Sequence, residues 1–168
     1  FGKNGSDATA GGIRLARAYT GKEHVLVCGY HGWQDWYIGS TTKNLGVPKC
    51  VQDLTHTFNY NSIDSLEQIL KEYPDEFAAV ILEPMSSEYP KDNFLSKVKK
   101  LTHNHGALLI FDETCTGFRL SYGGAQELFG VTPDIATFGK GLANGYPLSA
   151  LVGKEEYMNV MKDIFFSG

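Results

Sequence analysis

Short, unbroken apolar runs constrain the fold of this chain more than any other feature. Val25-Leu26-Val27-Cys28, Phe77-Ala78-Ala79-Val80-Ile81-Leu82, Leu108-Leu109-Ile110-Phe111 and Ile135-Ala136-Thr137-Phe138 show almost no polar–apolar alternation. A strand apolar at nearly every position has to be covered on both faces, which is the habit of parallel sheets. Helical stripes lie between the runs. Ala8, Ile13, Leu15, Ala16 and Ala18 fit one helix, opened by Asn4-Gly5-Ser6-Asp7 and closed near Thr20-Gly21. Ser6 and Asp7 suit its first turn and Gly21 its end. Ile63, Leu66, Ile69 and Leu70 fit a second helix, with Ser62 and Asp64 near its start, and Phe94, Leu95, Val98 and Leu101 a third. Leu148 to Val152 reads as a further strand and Glu155 to Asp163 as a helix. Residues 29–49 read as a loop rich in glycine and aromatic side chains. The expectation is an α/β fold with a mostly parallel sheet between helical layers.

At 168 residues the chain is long enough for one domain with a real core. Its net charge of -4 gives no broad attraction to nucleic acid or to an anionic membrane. No apolar stretch approaches the roughly 18 residues of a membrane span. The three cysteines, Cys28, Cys50 and Cys115, lack metal-ligand spacing. An odd count of this kind points to reduced thiols and a cytoplasmic location. The chain opens on Phe1 rather than Met and is expected to be a piece of a longer protein.

Chemistry gathers just past the ends of the strands. Glu83, Asp112 and Lys140 each fall within two residues after an apolar run. In open α/β sheets, ligands bind beyond the carboxyl ends of the strands. A lone lysine and a carboxylate delivered there suit pyridoxal phosphate, with the lysine as Schiff-base partner and the carboxylate keeping the ring nitrogen protonated. The glycine turn at Asn4–Ala8 feeds a helix and can cradle a phosphate. Each feature also has an ordinary reading. Lys140 could be a turn lysine, Asp112-Glu113 a strand-end turn, Glu83-Pro84 a strand stop and the glycine turn a plain cap. Trp33, Trp36 and Tyr37 read as core or interface aromatics. His103 and His105 read as groups at a helix carbonyl end, not as metal ligands. Arg119 reads as structural or as a clamp for a substrate carboxylate.

In order along the chain stand Asn4-Gly5-Ser6-Asp7-Ala8-Thr9, Tyr30-His31-Gly32, Ala79 to Pro84, His105 to Glu113, Thr116-Gly117-Phe118-Arg119, and Thr132-Pro133-Asp134 through Lys140 to Gly145-Tyr146-Pro147. With this ordered set the chain resembles the class-III, fold-type I pyridoxal-phosphate aminotransferases, nearest their glutamate-1-semialdehyde 2,1-aminomutase-like branch. The resemblance implies a three-layer αβα large cofactor domain over residues 1–168, without the family's N-terminal segment and C-terminal small domain. It implies pyridoxal 5'-phosphate as cofactor and no metal. Lys140 would be the Schiff-base lysine and proton shuttle, its pKa lowered by burial, and Asp112 the partner of the ring nitrogen. Tyr30 and Thr114 would pack on opposite ring faces, and Gly5 and Ser6 would hold the phosphate. Glu83 and His31 would lie near cofactor or substrate.

The resemblance further implies a homodimer with shared active sites, in which a threonine from the neighbouring subunit completes the phosphate site. That threonine would fall at or just after Gly168. The substrates would be a small-molecule amino donor and a carbonyl acceptor. Two positions and one stretch depart from the family pattern. Thr114 stands where Val is usual, Asp7 where Glu is usual, and Trp33-Gln34-Asp35-Trp36-Tyr37 replaces a smaller stretch, which favours a bulkier or different substrate. The alternatives are the aminomutase reaction, a non-catalytic phosphate-binding α/β module, and a pseudoenzyme dimerisation domain. Neither a GxGxxG nor a Walker pattern supports the binding module.

Overall fold

A computed structural model describes residues 1–167 of the chain; Gly168, and with it the expected position of the partner threonine, lies outside the described residues. Helix α1 (Gly5–Thr20) starts from Asn4, whose extended backbone and side chain accept the Asp7 amide, while the Asp7 carboxylate accepts the Asn4 amide at 3.2 Å. This reciprocal capping box makes Asn4 the cap and draws Ser6 and Asp7 into the first turn. Gly21 ends the helix in a left-handed conformation, φ 69°. Then follow β1 (His24–Cys28), α2 (Asp35–Ile38), α3 (Lys49–Gln52), β2 (Thr55–Thr57), α4 (Ile63–Glu72), β3 (Phe77–Leu82), α5 (Phe94–Asn104), β4 (Leu108–Asp112), α6 (Gly124–Leu128), β5 (Ile135–Phe138), β6 (Ala150–Gly153) and α7 (Glu155–Met158). Single 3₁₀ turns occupy Lys140–Leu142 and Asn159–Lys162.

The six strands lie in the order β2-β1-β3-β4-β5-β6, parallel except for β6, which runs antiparallel to β5. Alternate side chains feed two cores. Val25, Val27, Ala79, Ile81, Ile110 and Ile135 pack with Ile13, Leu15 and Ala16 of α1 on one face. Leu26, Val80, Leu82, Leu109 and Phe111 pack with Leu66, Leu70, Phe94, Leu95 and Val98 of α4 and α5 on the other. The expected α/β architecture is thus present, with the helical layers on both sides of the sheet.

The differences are local. β2 is a three-residue edge strand of Thr-His-Thr, too short and polar to show a period. α2, α3 and α6 are one-turn helices in segments whose glycine content reads as loop. The single helix expected after Lys154 divides into α7 and a 3₁₀ turn. Both pieces pack against the α1 side of the sheet, where Tyr157 is buried, so tertiary packing decides the break.

Candidate active site

The strand order reverses between β1 and β3, and such a reversal opens a crevice at the carboxyl edge of the sheet. A cavity of about 300 Å³ occupies it, lined by residues that include Gly5, Ser6, Tyr30, His31, Glu83, Asp112, Thr114 and Lys140. Every site residue singled out from the sequence therefore reaches one cavity. β1 delivers Tyr30 and His31, β3 delivers Glu83, β4 delivers Asp112 and Thr114, and β5 delivers Lys140. Helix α1 aims its N-terminus at the same space through Gly5 and Ser6.

Asp112 ends β4 with both oxygens engaged. Its Oδ2 pairs with His31 Nδ1 at 2.9 Å, and its Oδ1 accepts the Thr114 amide at 3.0 Å and the Thr137 hydroxyl at 3.2 Å. Burial by itself would raise this carboxyl's pKa. The His31 hydrogen bond and charge, together with the Thr114 amide bond, outweigh burial and hold it below the usual carboxylate range. Asp112 is thus a buried anion held by polar neighbours at the cavity wall. His31 is held in place by its own carbonyl, which accepts the Thr9 hydroxyl of α1 at 2.8 Å, and by Trp36 and Tyr37 packed against its ring. Its Nε2 is buried and has no hydrogen-bond partner, and neither has Thr114 Oγ1.

On the other side of the crevice, Glu83 Oε2 accepts the Tyr30 amide at 3.1 Å. Gly29 makes this approach possible. Its φ is +111°, and a Cβ there would sit 2.6 Å from Glu83 Oε2. The Tyr30 ring is 58% exposed at the mouth and stands edge-on to Tyr37. The capping box consumes the amides of Lys3, Asn4 and Asp7. The Gly5 and Ser6 amides stand first in α1, with no preceding turn to bond them, at the positive end of the helix dipole. A Cβ on Gly5 would come within 2.7 Å of Thr114 Cγ2, so only glycine lets the helix come so close to that wall.

Lys140 begins the 3₁₀ turn with φ +37°, in the left-handed region that non-glycine residues rarely adopt. Such a conformation costs on the order of 1–3 kcal/mol and persists where the surroundings enforce it, commonly at functional sites. Its amine donates to Cys115 Sγ at 2.7 Å. Lys140 is an exposed residue, not the buried amine the resemblance suggests, because its turn projects past the sheet edge at the open side of the cavity.

His103 and His105 stand at the carbonyl end of α5 as expected, and His103 Nε2 also pairs with the Asp134 carboxylate at 2.7 Å, a contact the sequence did not announce. Arg119 is exposed and does not line the cavity. Trp36 and Tyr37 are buried in the core and Trp33 is exposed, so the stretch that departs from the family pattern does not line this cavity. Sequence reasoning missed Lys3, Asn4, Cys115, Tyr146 and Leu148, all of which line it. Lys3, Asn4 and Cys115 adjoin the motif residues Gly5 and Thr114. Tyr146 belongs to the Gly145-Tyr146-Pro147 motif segment but was given no site role, and Leu148 carries no local signal; both enter through the path of the chain between Lys140 and β6.

Three findings connect the chain to known proteins. The class-III aminotransferase profile matches residues 1–164. The 3-aminobutyryl-CoA aminotransferase of Cloacimonas acidaminovorans is 49% identical over 98% of this chain, and the glutamate-1-semialdehyde 2,1-aminomutase of Natranaerobius thermophilus is 43% identical over 92%. The chain spans about 40% of the length of these curated relatives. Among solved structures, the pyridoxal-phosphate internal aldimine form of the FumI protein of Sphingopyxis sp. MTA144 superposes with a TM-score of 0.90. It is 33% identical, and the match covers 99% of this chain and 41% of that one.

Proposed function

The chain belongs to the class-III aminotransferase family, and from that premise we propose that residues 1–168 are the large cofactor domain of a pyridoxal-phosphate-dependent aminotransferase. The carrying observation is the meeting, in one cavity, of a lysine, a buried carboxylate, an open helix N-terminus and an aromatic face. The donor set fits pyridoxal phosphate. The Gly5 and Ser6 amides would hold the phosphate. Asp112 would take the ring nitrogen, Tyr30 would cover one ring face and Thr114 the other, and Lys140 would hold the aldehyde carbon through its amine. The buried and unpartnered Thr114 Oγ1 supports a polar occupant beside that wall.

When bound, this cofactor supplies an electron sink for the carbon that carries the amino group. The chain's own residues do the rest. Asp112, kept ionised by its His31 and Thr114 bonds, would hold a proton on the ring nitrogen. Lys140 Nζ would take the proton from the amine-bearing carbon of the substrate and return a proton on the other side of the transfer. Glu83, fixed by the Tyr30 amide, orders the β1 loop that carries the ring-covering tyrosine.

The reaction proposed is passage of an amino group from an amino donor to a carbonyl acceptor. The 49% identity to a 3-aminobutyryl-CoA aminotransferase makes a β-amino acyl thioester the first donor to assay. The 43% identity to an aminomutase supports intramolecular amino transfer as the second reading. The exposed Tyr30 and Tyr146 at the mouth support a homodimer that covers the cavity. Among the described residues no helix is long and apolar enough to cross a membrane, and the three cysteines are unpaired, which supports a reducing, cytoplasmic setting.

The test is to add pyridoxal phosphate to the full-length protein, record the visible spectrum, reduce with borohydride and map the labelled peptide. A visible band with label on Lys140 is expected. Absence of a band, or label scattered over surface lysines, overturns the proposal.

A further inference from the structure

Cys115 and Lys140 arrive from different strands, 25 residues apart, and meet in the wall of the cavity with Nζ 2.7 Å from Sγ. No other cysteine stands in this situation. Cys28 is buried, and its thiol is pushed up to about 12 by burial and by the nearby Glu83 charge, so it stays protonated and inert. Cys50 is exposed and lies outside the cavity. Cys115 is only partly buried, so a small oxidant entering the open cavity reaches its sulfur with a primary amine already in contact.

We propose that Cys115 and Lys140 form a peroxide-driven, thiol-reversible sulfur–nitrogen cross-link that closes the cofactor site; the closure, though not the cross-link, rests on the reading of Lys140 as the cofactor-holding lysine. Hydrogen peroxide transfers one oxygen to Sγ and leaves as water, which oxidises the thiol to a sulfenic acid and reduces the O–O bond. The Lys140 amine, once its ammonium proton has passed to solvent, then attacks that sulfur. The S–N bond forms as the S–O bond breaks, and the departing hydroxide takes the proton from nitrogen as a second water. The approach needs only a rotation of the flexible four-carbon lysine stem. An external thiol reverses the link. It attacks Sγ, the amine leaves with the thiol's proton, and a second thiol frees Cys115 while the two external sulfurs become a disulfide. Bound cofactor and cross-link compete for the same nitrogen, so cofactor protects the pair and cross-linking excludes cofactor.

The experiment exposes the full-length protein to hydrogen peroxide with and without excess pyridoxal phosphate, removes the peroxide, and reads peptide masses and then cofactor uptake by the visible band. The expected product is a linked pair of peptides holding Cys115 and Lys140, lighter by two hydrogens than the separate peptides. It is suppressed by cofactor and dissolved by dithiothreitol, with uptake lost and regained in step. Cys115→Ser forms no link and, compared with its own untreated sample, keeps its uptake after peroxide. Cys115 recovered as a free thiol, a sulfinic acid or a mixed disulfide, with no link to Lys140, overturns the proposal. So does an equal peroxide loss of uptake in Cys115→Ser. A link that forms while cofactor uptake is untouched upholds the modification and instead overturns the reading of Lys140 as the cofactor lysine.

Discussion

The chain contains two histidine–aspartate pairs at opposite ends of its sheet, and they serve different ends. His103 and Asp134 meet at the amino end of β5. Asp134 Oδ2 accepts His103 Nε2 at 2.7 Å and the Leu109 amide at 2.8 Å, and Oδ1 accepts the Lys154 ammonium at 3.0 Å. Every polar atom of that carboxylate is in use, and its His103 and Lys154 partners reach solvent. His31 and Asp112 meet at the carboxyl end of β4, where both Asp112 oxygens are likewise bonded, to His31, Thr114 and Thr137, and the unmet polar capacity lies on the histidine beyond them. Both side chains are almost wholly buried, the far nitrogen of His31 has no partner, and the pair lines an open cavity. Similar chemistry thus makes a saturated brace in one place and an unsaturated site in the other. Saturation marks a structural role, and unmet polar capacity facing a cavity marks a functional one.

The sharpest way to test this contrast is to remove the lysine that shares the unsaturated end. Lys140→Ala is expected to lower amino transfer by at least about 1,000-fold, the scale of losing a covalent and proton-transfer group, while thermal stability holds. Near-normal turnover in a coupled assay of the full-length variant would leave the cavity without its central role. Exchanging the carboxylates comes next. Asp112→Asn should cut turnover on the order of 100-fold through lost charge stabilisation, with only a small fall in melting temperature. Asp134→Ala should do the reverse. It strands the Leu109 amide in the core and costs about 2 kcal/mol of stability, with turnover per folded molecule unchanged. If the two variants behaved alike in kinetics and melting, the distinction between brace and site would fall.

Acid titration sharpens the brace. Burial would raise the Asp134 carboxyl, but the Leu109, His103 and Lys154 hydrogen bonds more than offset it and hold it below the ordinary range. The unfolded chain therefore takes up this proton first as pH falls. The stability Asp134 contributes is complete above the unfolded pKa near 4 and is lost as pH falls through the lower folded value. Melting temperature followed downward from about pH 6 should drop less steeply in Asp134→Ala than in the parent. Parallel curves would remove the brace from the acid limb. The smallest effect belongs to the cavity mouth. Tyr30→Ala should weaken cofactor retention by about 1 kcal/mol through lost ring stacking, and an unchanged dissociation constant would deny Tyr30 that place.

The adjacent pair Asp112-Glu113 shows how much of the site was legible in the sequence. An apolar run ending in carboxylates placed acidic groups at the ligand-binding edge, and alternation along a strand required the two to face opposite ways. Which one faced the cavity was not written locally. Glu113 turns inward and accepts the Ala125 and Gln126 amides at 2.9 and 2.8 Å, capping α6 across a close approach that Gly124, φ +79°, makes possible. That helix is a single turn inside a glycine-rich segment, so no periodicity announced it. The neighbouring Cys115 was equally silent, because its lysine partner comes from the next strand.

By itself the sequence determined the covered parallel sheet, its two helical layers and the edge at which Glu83, Asp112 and Lys140 emerge. These follow from side-chain periodicity and from strand ends, which act over a few residues. Only the tertiary structure decided that His31 braces Asp112 across 81 residues, that His103 belongs to Asp134, and that Cys115 touches Lys140. Such pairings depend on strand order and register, and these are fixed by burying two apolar faces at once, a property of the whole chain.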